Sequence, residues 1–119
     1  MKKILIVDDD PVILNLISGR LRKEGYQTYL ATNGVEAYAL AMIQKFDLMV
    51  LDIMMPIMDG YKFIKEIKGN SEIDDTPILI MSAYSQTKVL FEEERIVNFL
   101  TKPFDAQKLL NNVALCLQG

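Results

Sequence analysis

The 119-residue chain contains no histidine and no tryptophan, and it has a single cysteine, Cys116. Without histidine it can supply no imidazole base, no imidazole metal ligand and no phosphohistidine, so any such group must come from a partner. One cysteine cannot close an internal disulfide, which suits a reducing compartment. Long apolar runs are missing as well. "MKKILIV" opens like a secretion signal, but the run stops at Val7 and three aspartates follow. A signal core needs roughly 7–15 apolar residues and a membrane helix about 20, so the expected setting is cytoplasmic, with no membrane contact. An excess of positive charge is also lacking. Thirteen basic against sixteen acidic residues leave a net charge of -3, which argues against direct nucleic-acid binding by this domain. Half of the residues are apolar and the charges are dispersed, as in a folded chain, and the length suits one domain over residues 1–119.

What is present alternates between two periodicities. Short continuous apolar runs at Ile4–Val7, Leu48–Leu51 and Ile78–Met81 read as strands covered on both faces, with weaker candidates at Gln27–Ala31 and Asn98–Leu100. Helical patterns lie between them. Asp10-Pro11 reads as an N-cap and first helical position, Val12, Ile13, Leu16, Ile17 and Leu21 give one face, and Gly25 ends the helix. Further helices are expected over Gly34–Lys45, Gly60–Lys68, Gln86–Glu94 and Asp105–Leu117, with loops at Gly69-Asn70-Ser71 and Asp74-Asp75-Thr76-Pro77. Five β/α units imply an α/β, doubly wound domain: a parallel sheet with helices on both faces.

In such sheets ligands sit beyond the carboxyl ends of the strands. Following each apolar run gives Asp8-Asp9-Asp10, then Asp52, then Ser82, with Lys102 after the last strand. Asp10 is explained by capping, but Asp8 and Asp9 lie too far back for capping to account for both. With Asp52 they form a carboxylate group in which two charges about 4 Å apart repel by roughly 4 kcal/mol at an effective dielectric of 20. A divalent cation cancels that repulsion, and an oxygen-only donor set suits Mg²⁺. Asp52 ends a central strand and is the candidate nucleophile, since carboxylates accept phosphoryl groups covalently. Such transfer asks for positioning and charge neutralisation, which Lys102 and Ser82 could add. Taken singly, Lys102 is an ordinary surface lysine and Ser82 a strand-end turn residue; both at one edge favour the site.

At these residues the chain resembles a family. "ILIVDDDP", "MVLDIMMPIMDG", "ILIMSA" and "NFLTKPF" are similar, in order, to the signature blocks of the response-regulator receiver domain of two-component signalling. The resemblance covers essentially the whole chain, and "DxxMPxxDG" is its specific part. It implies a flavodoxin-like five-stranded sheet of order 2-1-3-4-5 and a signalling switch, not an enzyme in the ordinary sense. It also implies Asp52 as phosphoacceptor, Asp9 as a direct Mg²⁺ ligand, Asp8 as a ligand through water, and Met54 as a ligand through its backbone carbonyl. The same resemblance allows Mn²⁺ in place of Mg²⁺. By the same resemblance Ser82 is expected in the place of the switch hydroxyl, Lys102 as the partner of the phosphoryl group, the Lys102–Pro103 bond as cis, and Phe99 as the rotating aromatic. Pro56 and Gly60 shape the acceptor loop. Implied partners are a histidine kinase or histidine phosphotransfer protein upstream, and a protein target or fused effector domain downstream.

The chain departs from the pattern in one region. Ser82 to Lys102 is two residues shorter than usual, and "FEEERIVNF" stands where a Gly-Ala is common. That stretch belongs to the fourth-helix, last-strand and last-helix face that usually carries output. The acid pair and the Glu and Arg used by the DNA-binding members to dimerise are replaced by Val97, Asn98, Lys108 and Asn112. Met42, Met49, Met54, Met55, Met58 and Met81 read as core filling more than as an adaptable surface. Two other functions compete. A phosphorylation-independent interaction module could occupy the same fold. A haloacid-dehalogenase-type phosphohydrolase would use Asp8 as nucleophile and Asp10 as acid/base, but leaves Asp52 without a role and lacks a later acidic pair.

Overall fold

The apolar runs pair side by side into one parallel sheet. A computed structural model of the chain describes residues 1–53, 65–67, 69–70, 75–82, 98–101 and 105–118, with backbone only at positions 52, 53, 82, 98, 99 and 101. The elements are β1 (Lys3–Val7), α1 (Pro11–Lys23), β2 (Gln27–Ala31), α2 (Gly34–Ile43), β3 (Leu48–Ile53), β4 (Ile78–Ser82), β5 (Asn98–Thr101) and α3 (Ala106–Gln118). The sheet order is β2-β1-β3-β4-β5. Val7 stands beside Ala31 on one side and Leu51 on the other, and Asp52 stands beside Met81. The two segments with weak strand signals, β2 and β5, are the two edges. Only partial cover is available there, and β2 accordingly carries a mixed exposure pattern.

Alternate side chains of the central strands enter two cores. Leu5, Val7, Met49, Leu51, Ile78 and Ile80 pack with Ala37 and Ala41 of α2, Phe46 and Ile67. Ile4, Ile6, Leu48, Val50, Leu79 and Met81 pack with Leu14, Ile17 and Leu21 of α1 and Leu109, Val113 and Cys116 of α3. Period-two alternation across a continuous apolar run is what a strand covered on both faces requires. Each fully buried Leu or Ile contributes about 1.5–3 kcal/mol of transfer free energy.

Helix ends follow local chemistry. The Asp10 side chain accepts the Val12 N–H at 2.9 Å, with Pro11 at the first helical position. At the other end of α1, Gly25 N–H bonds to Arg22 O and Tyr26 N–H to Leu21 O, with Gly25 at φ +92°. That double bond pattern needs a residue in the left-handed region, which glycine occupies without steric cost. Asn33 caps α2 by accepting Glu36 N–H at 2.9 Å. Asp105, expected inside the last helix, is its cap and accepts Lys108 N–H at 2.8 Å.

The expected face of α1 needs correction. Val12 and Leu16 are each 65% exposed, while Leu14, Ile17, Ser18 and Leu21 are buried. Ser18 and Leu16 flank Ile17 symmetrically, at about 100° on either side of the helix. The helix is rolled toward β2, where the hydroxyls of Ser18 and Thr28 meet at 2.7 Å. Helix α2 ends at Ile43, short of Lys45, whose amino group instead pairs with Asp75 at 3.2 Å. Met49 and Met81 fill the core as expected, whereas Met42 is 45% exposed. Residues 65–67 are helical. The remainder of the expected Gly60–Lys68 helix and all of Gln86–Glu94 lie outside the described residues, as do Met54, Met55, Met58, Pro56, Gly60, Val97, Lys102 and Pro103.

Candidate functional site

The sheet gathers chain exits of chosen chemistry at one edge. Parallel strands all deliver their carboxyl ends to the same side, so residues far apart in sequence become neighbours there. Asp8 and Asp52 each follow the last matched pair of β1 and β3, Val7 with Leu51. Adjacent strands lie about 4.8 Å apart, which sets the scale for backbone separation at this edge. Two of the residues sit farther inside the strands than their patterns indicate. Asp52 is the fifth residue of β3, followed by Ile53, and Ser82 is the last residue of β4. Ser82 stands beside Ile53 on one side and Thr101 on the other. Phe99 stands beside Ile80 in the middle of the last pair of strands.

Asp8 is the best-defined member. It is only 2% exposed, unusual for an acid. Its N–H donates to Ala31 O at 3.1 Å, which ties it to the end of β2. Its Oδ1 accepts the Asp10 N–H at 3.1 Å. Burial of an ionised carboxylate is costly unless charge and hydrogen bonds accompany it, so this position suits an acid that meets a cation. Asp9 is exposed, while Asp10 is occupied in capping α1. The Asp8–Asp10 contact is a feature the sequence pattern did not single out. Its signal is an acid two residues before the N–H it accepts, a spacing repeated from Asp10 to Val12.

Nearby, Glu36 reaches back from the first turn of α2 to the N–H of Thr32 at 2.7 Å and to the Thr32 hydroxyl. The Thr32 hydroxyl, and then the Thr32 N–H, hold its carboxyl below the usual glutamate range. This contact braces the β2–α2 connection at the same edge.

The donor chemistry fits a hard divalent cation: Asp8 and Asp9 offer carboxylate oxygens, and Asp52 adds a third acid from the next strand. Among the described residues no three acidic or thiol side chains converge on a metal position, and the side chain of Asp52 lies outside that description. The sequence-derived members divide accordingly. Asp8, Asp9, Asp52 and Ser82 come to one edge by strand position, Phe99 is placed within β5, and Met54 and Lys102 lie outside the described residues.

Fold and edge together define a doubly wound α/β domain with an acidic region at the carboxyl ends of its central strands. Residues 4–114 match the family model described as the response regulator receiver domain, and the chain belongs to that family. Among its relatives, the DNA-binding dual master transcriptional regulator RpaA of Synechocystis is 35% identical over 99% of this chain and 50% of its own length. Protein PilH of Pseudomonas aeruginosa is 33% identical over 100% of both chains. The chain thus spans about half the length of several curated relatives, RpaA included, and the whole of PilH. The response regulator TrrA of Thermotoga maritima, solved in complex with Mg²⁺-BeF, superposes with a TM-score of 0.85 at 33% identity, covering 98% of this chain and 100% of that one. No helix among the described residues is long and apolar enough to cross a membrane.

Proposed function

We propose that this chain is a phosphoacceptor switch of two-component signalling, with Asp52 as the residue that receives the phosphoryl group. The observation that carries the reading is the position of Asp52 at the carboxyl end of β3, flanked by the end of β1 with its buried Asp8 and by the end of β4 with Ser82. A carboxylate oxygen of Asp52 attacks phosphorus, an O–P bond forms, and the N–P bond to the partner's phosphohistidine breaks, with the freed imidazole nitrogen taking up a proton. The donor must be another molecule or domain, because this chain has no histidine. The amino group of Lys102 and the hydroxyl of Ser82 stabilise the transferred phosphoryl oxygens.

Asp8, Asp9, Asp52 and the backbone carbonyl of Met54 would hold Mg²⁺, or Mn²⁺ in its place, a reading supported by the oxygen-only donors here and by the Mg²⁺-BeF complex of TrrA. When bound, the cation offsets the charge that accumulates between the carboxylates and the phosphoryl group. Water later attacks phosphorus, the P–O bond to Asp52 breaks, and inorganic phosphate leaves with the carboxylate restored, slowly, so the chain resets without turning over a substrate as an enzyme would. Ser82 moving toward the phosphoryl group and Phe99 moving inward pass the state to the face formed by the expected Gln86–Glu94 helix, β5 and α3. A histidine kinase or histidine phosphotransfer protein supplies the phosphoryl group, and a cytoplasmic protein target or fused effector domain reads it.

Intact-mass measurement after treatment with acetyl phosphate, with and without Mg²⁺, tests this. The expected result is one Mg²⁺-dependent phosphoryl adduct, lost in Asp52→Asn. An adduct that needs Asp8 yet survives Asp52→Asn would point to hydrolase chemistry instead. No adduct on folded protein would favour a phosphorylation-independent module, the alternative that the shortened Ser82–Lys102 spacing keeps in play.

A further inference from the structure

The start of α1 reaches back to the acidic edge. Leu14, buried in the core, donates its N–H to Asp10 O at 3.0 Å, so the helix axis is fixed relative to Asp10. Pro11 has no N–H, which makes Val12 the first donor a cap can reach, and the Asp10 carboxylate accepts it at 2.9 Å. A residue before proline is biased toward extended backbone, and Asp10 has φ -97° and ψ 109°. With the helix anchored and these angles held, the Asp10 N–H points at Asp8 Oδ1, 3.1 Å away. An anchored oxygen restricts rotation of the carboxylate.

We propose that Asp10 is a positioning residue for the cation site: its capping bond to α1 holds the backbone N–H that orients the Asp8 carboxylate. The inference rests on the receiver reading, in which Asp8 serves a bound Mg²⁺. Its physical content is preorganisation. A carboxylate already oriented loses less freedom when it meets a cation, so affinity depends on the cap even though Asp10 need not touch the ion. The competing explanation is charge, since Asp10 also adds a negative group near the edge.

Four variants separate the two. Asp10→Asn and Asp10→Ser keep a capping side chain and remove the charge. Asp10→Glu keeps the charge and loses a good cap, and Asp10→Ala loses both. Dissociation constants for Mg²⁺ alone would be measured on the full chain by calorimetry or amide NMR, with the folded fraction checked by circular dichroism. The expected result is that Asn and Ser stay within about two-fold of wild type while Glu and Ala bind about five-fold more weakly, the factor that corresponds to a typical cap of about 1 kcal/mol. Retained affinity in Glu with weakening in Asn, Ser and Ala would overturn the proposal in favour of charge. A cap that merely holds the helix would lower the melting temperature of Glu and Ala but leave the dissociation constant of the folded protein unmoved, which also overturns it. Asp8→Asn separates the two levels of the argument. If wild type binds no Mg²⁺, or Asp8→Asn binds it as well as wild type, then the receiver assignment of Asp8 fails, and the positioning role falls with it.

Discussion

Replacing Gly19 and Gly25 by alanine adds the same methyl group twice within one stretch of chain, and the surroundings give the two changes opposite signs. Gly19 lies in the interior of α1, and a Cβ there meets no heavy atom within 4 Å. Only helix propensity remains, and it favours alanine by about 0.8–1 kcal/mol. Gly25 also has open space around it, but its φ is +92°. There the penalty comes from the residue's own backbone, about 1–2 kcal/mol against a side chain. The two variants should therefore differ by about 2–3 kcal/mol. Unfolding entropy scales at about 2.1 cal/mol/K per residue, so for a chain of this length each kcal/mol moves the melting temperature by about 4 °C. Urea unfolding followed by far-ultraviolet circular dichroism reads both, since tryptophan fluorescence is not an option in this sequence. Gly19→Ala should raise the midpoint and Gly25→Ala lower it. A lowered midpoint for Gly19→Ala would mean that the helix interior lacks the space described. No loss for Gly25→Ala would mean that α1 does not end through a left-handed residue.

Other outcomes follow from the same contacts. Leu21 is 0% exposed at the base of α1, and Leu21→Ala should cost about 2–5 kcal/mol in urea unfolding; a cost below about 1 kcal/mol would contradict its core position. Glu36 has its carboxyl held below the ordinary value of 4.5, so its contribution to stability is fully present above that value and is lost as pH falls through the lower, folded one. The stability difference between wild type and Glu36→Gln should therefore shrink as pH is lowered below about 4.5, and a difference that grows on acidification would refute the Thr32 contact. Burial pushes the Cys116 thiol up from its usual value, so a thiol reagent at pH 8 should react slowly with folded protein and quickly once urea is added; equal rates would place Cys116 at the surface.

Much of the architecture was legible because its signals are local or periodic. The runs that became β1, β3 and β4 are apolar at every position, a pattern that survives any choice of neighbour. Asp10-Pro11 and Gly25 mark the ends of α1 through bonds that span two to five residues. The positions of Asp8, Asp52 and Ser82 at one edge followed from a rule about parallel strands and needed no side-chain coordinates. Strand lengths were harder to read. Ile53 and Ser82 continue their strands because the neighbouring strand offers a partner, which a carboxylate or hydroxyl in the sequence does not announce.

The sequence by itself determined the alternation of elements, the acidic edge and the family, since each depends on residue type, spacing and order alone. The tertiary structure decided which side of α1 is covered and how Asp8 is held. Leu16 is the more apolar residue, yet Ser18 is the one buried, because Thr28 on β2 offers a hydroxyl at 2.7 Å and the helix rolls to meet it. Nothing in the local pattern marks Asp8 for burial and Asp9 for exposure until the ends of β2 and α1 close around Asp8. Burial is a property of what other parts of the chain bring to a residue, and no local pattern carries it.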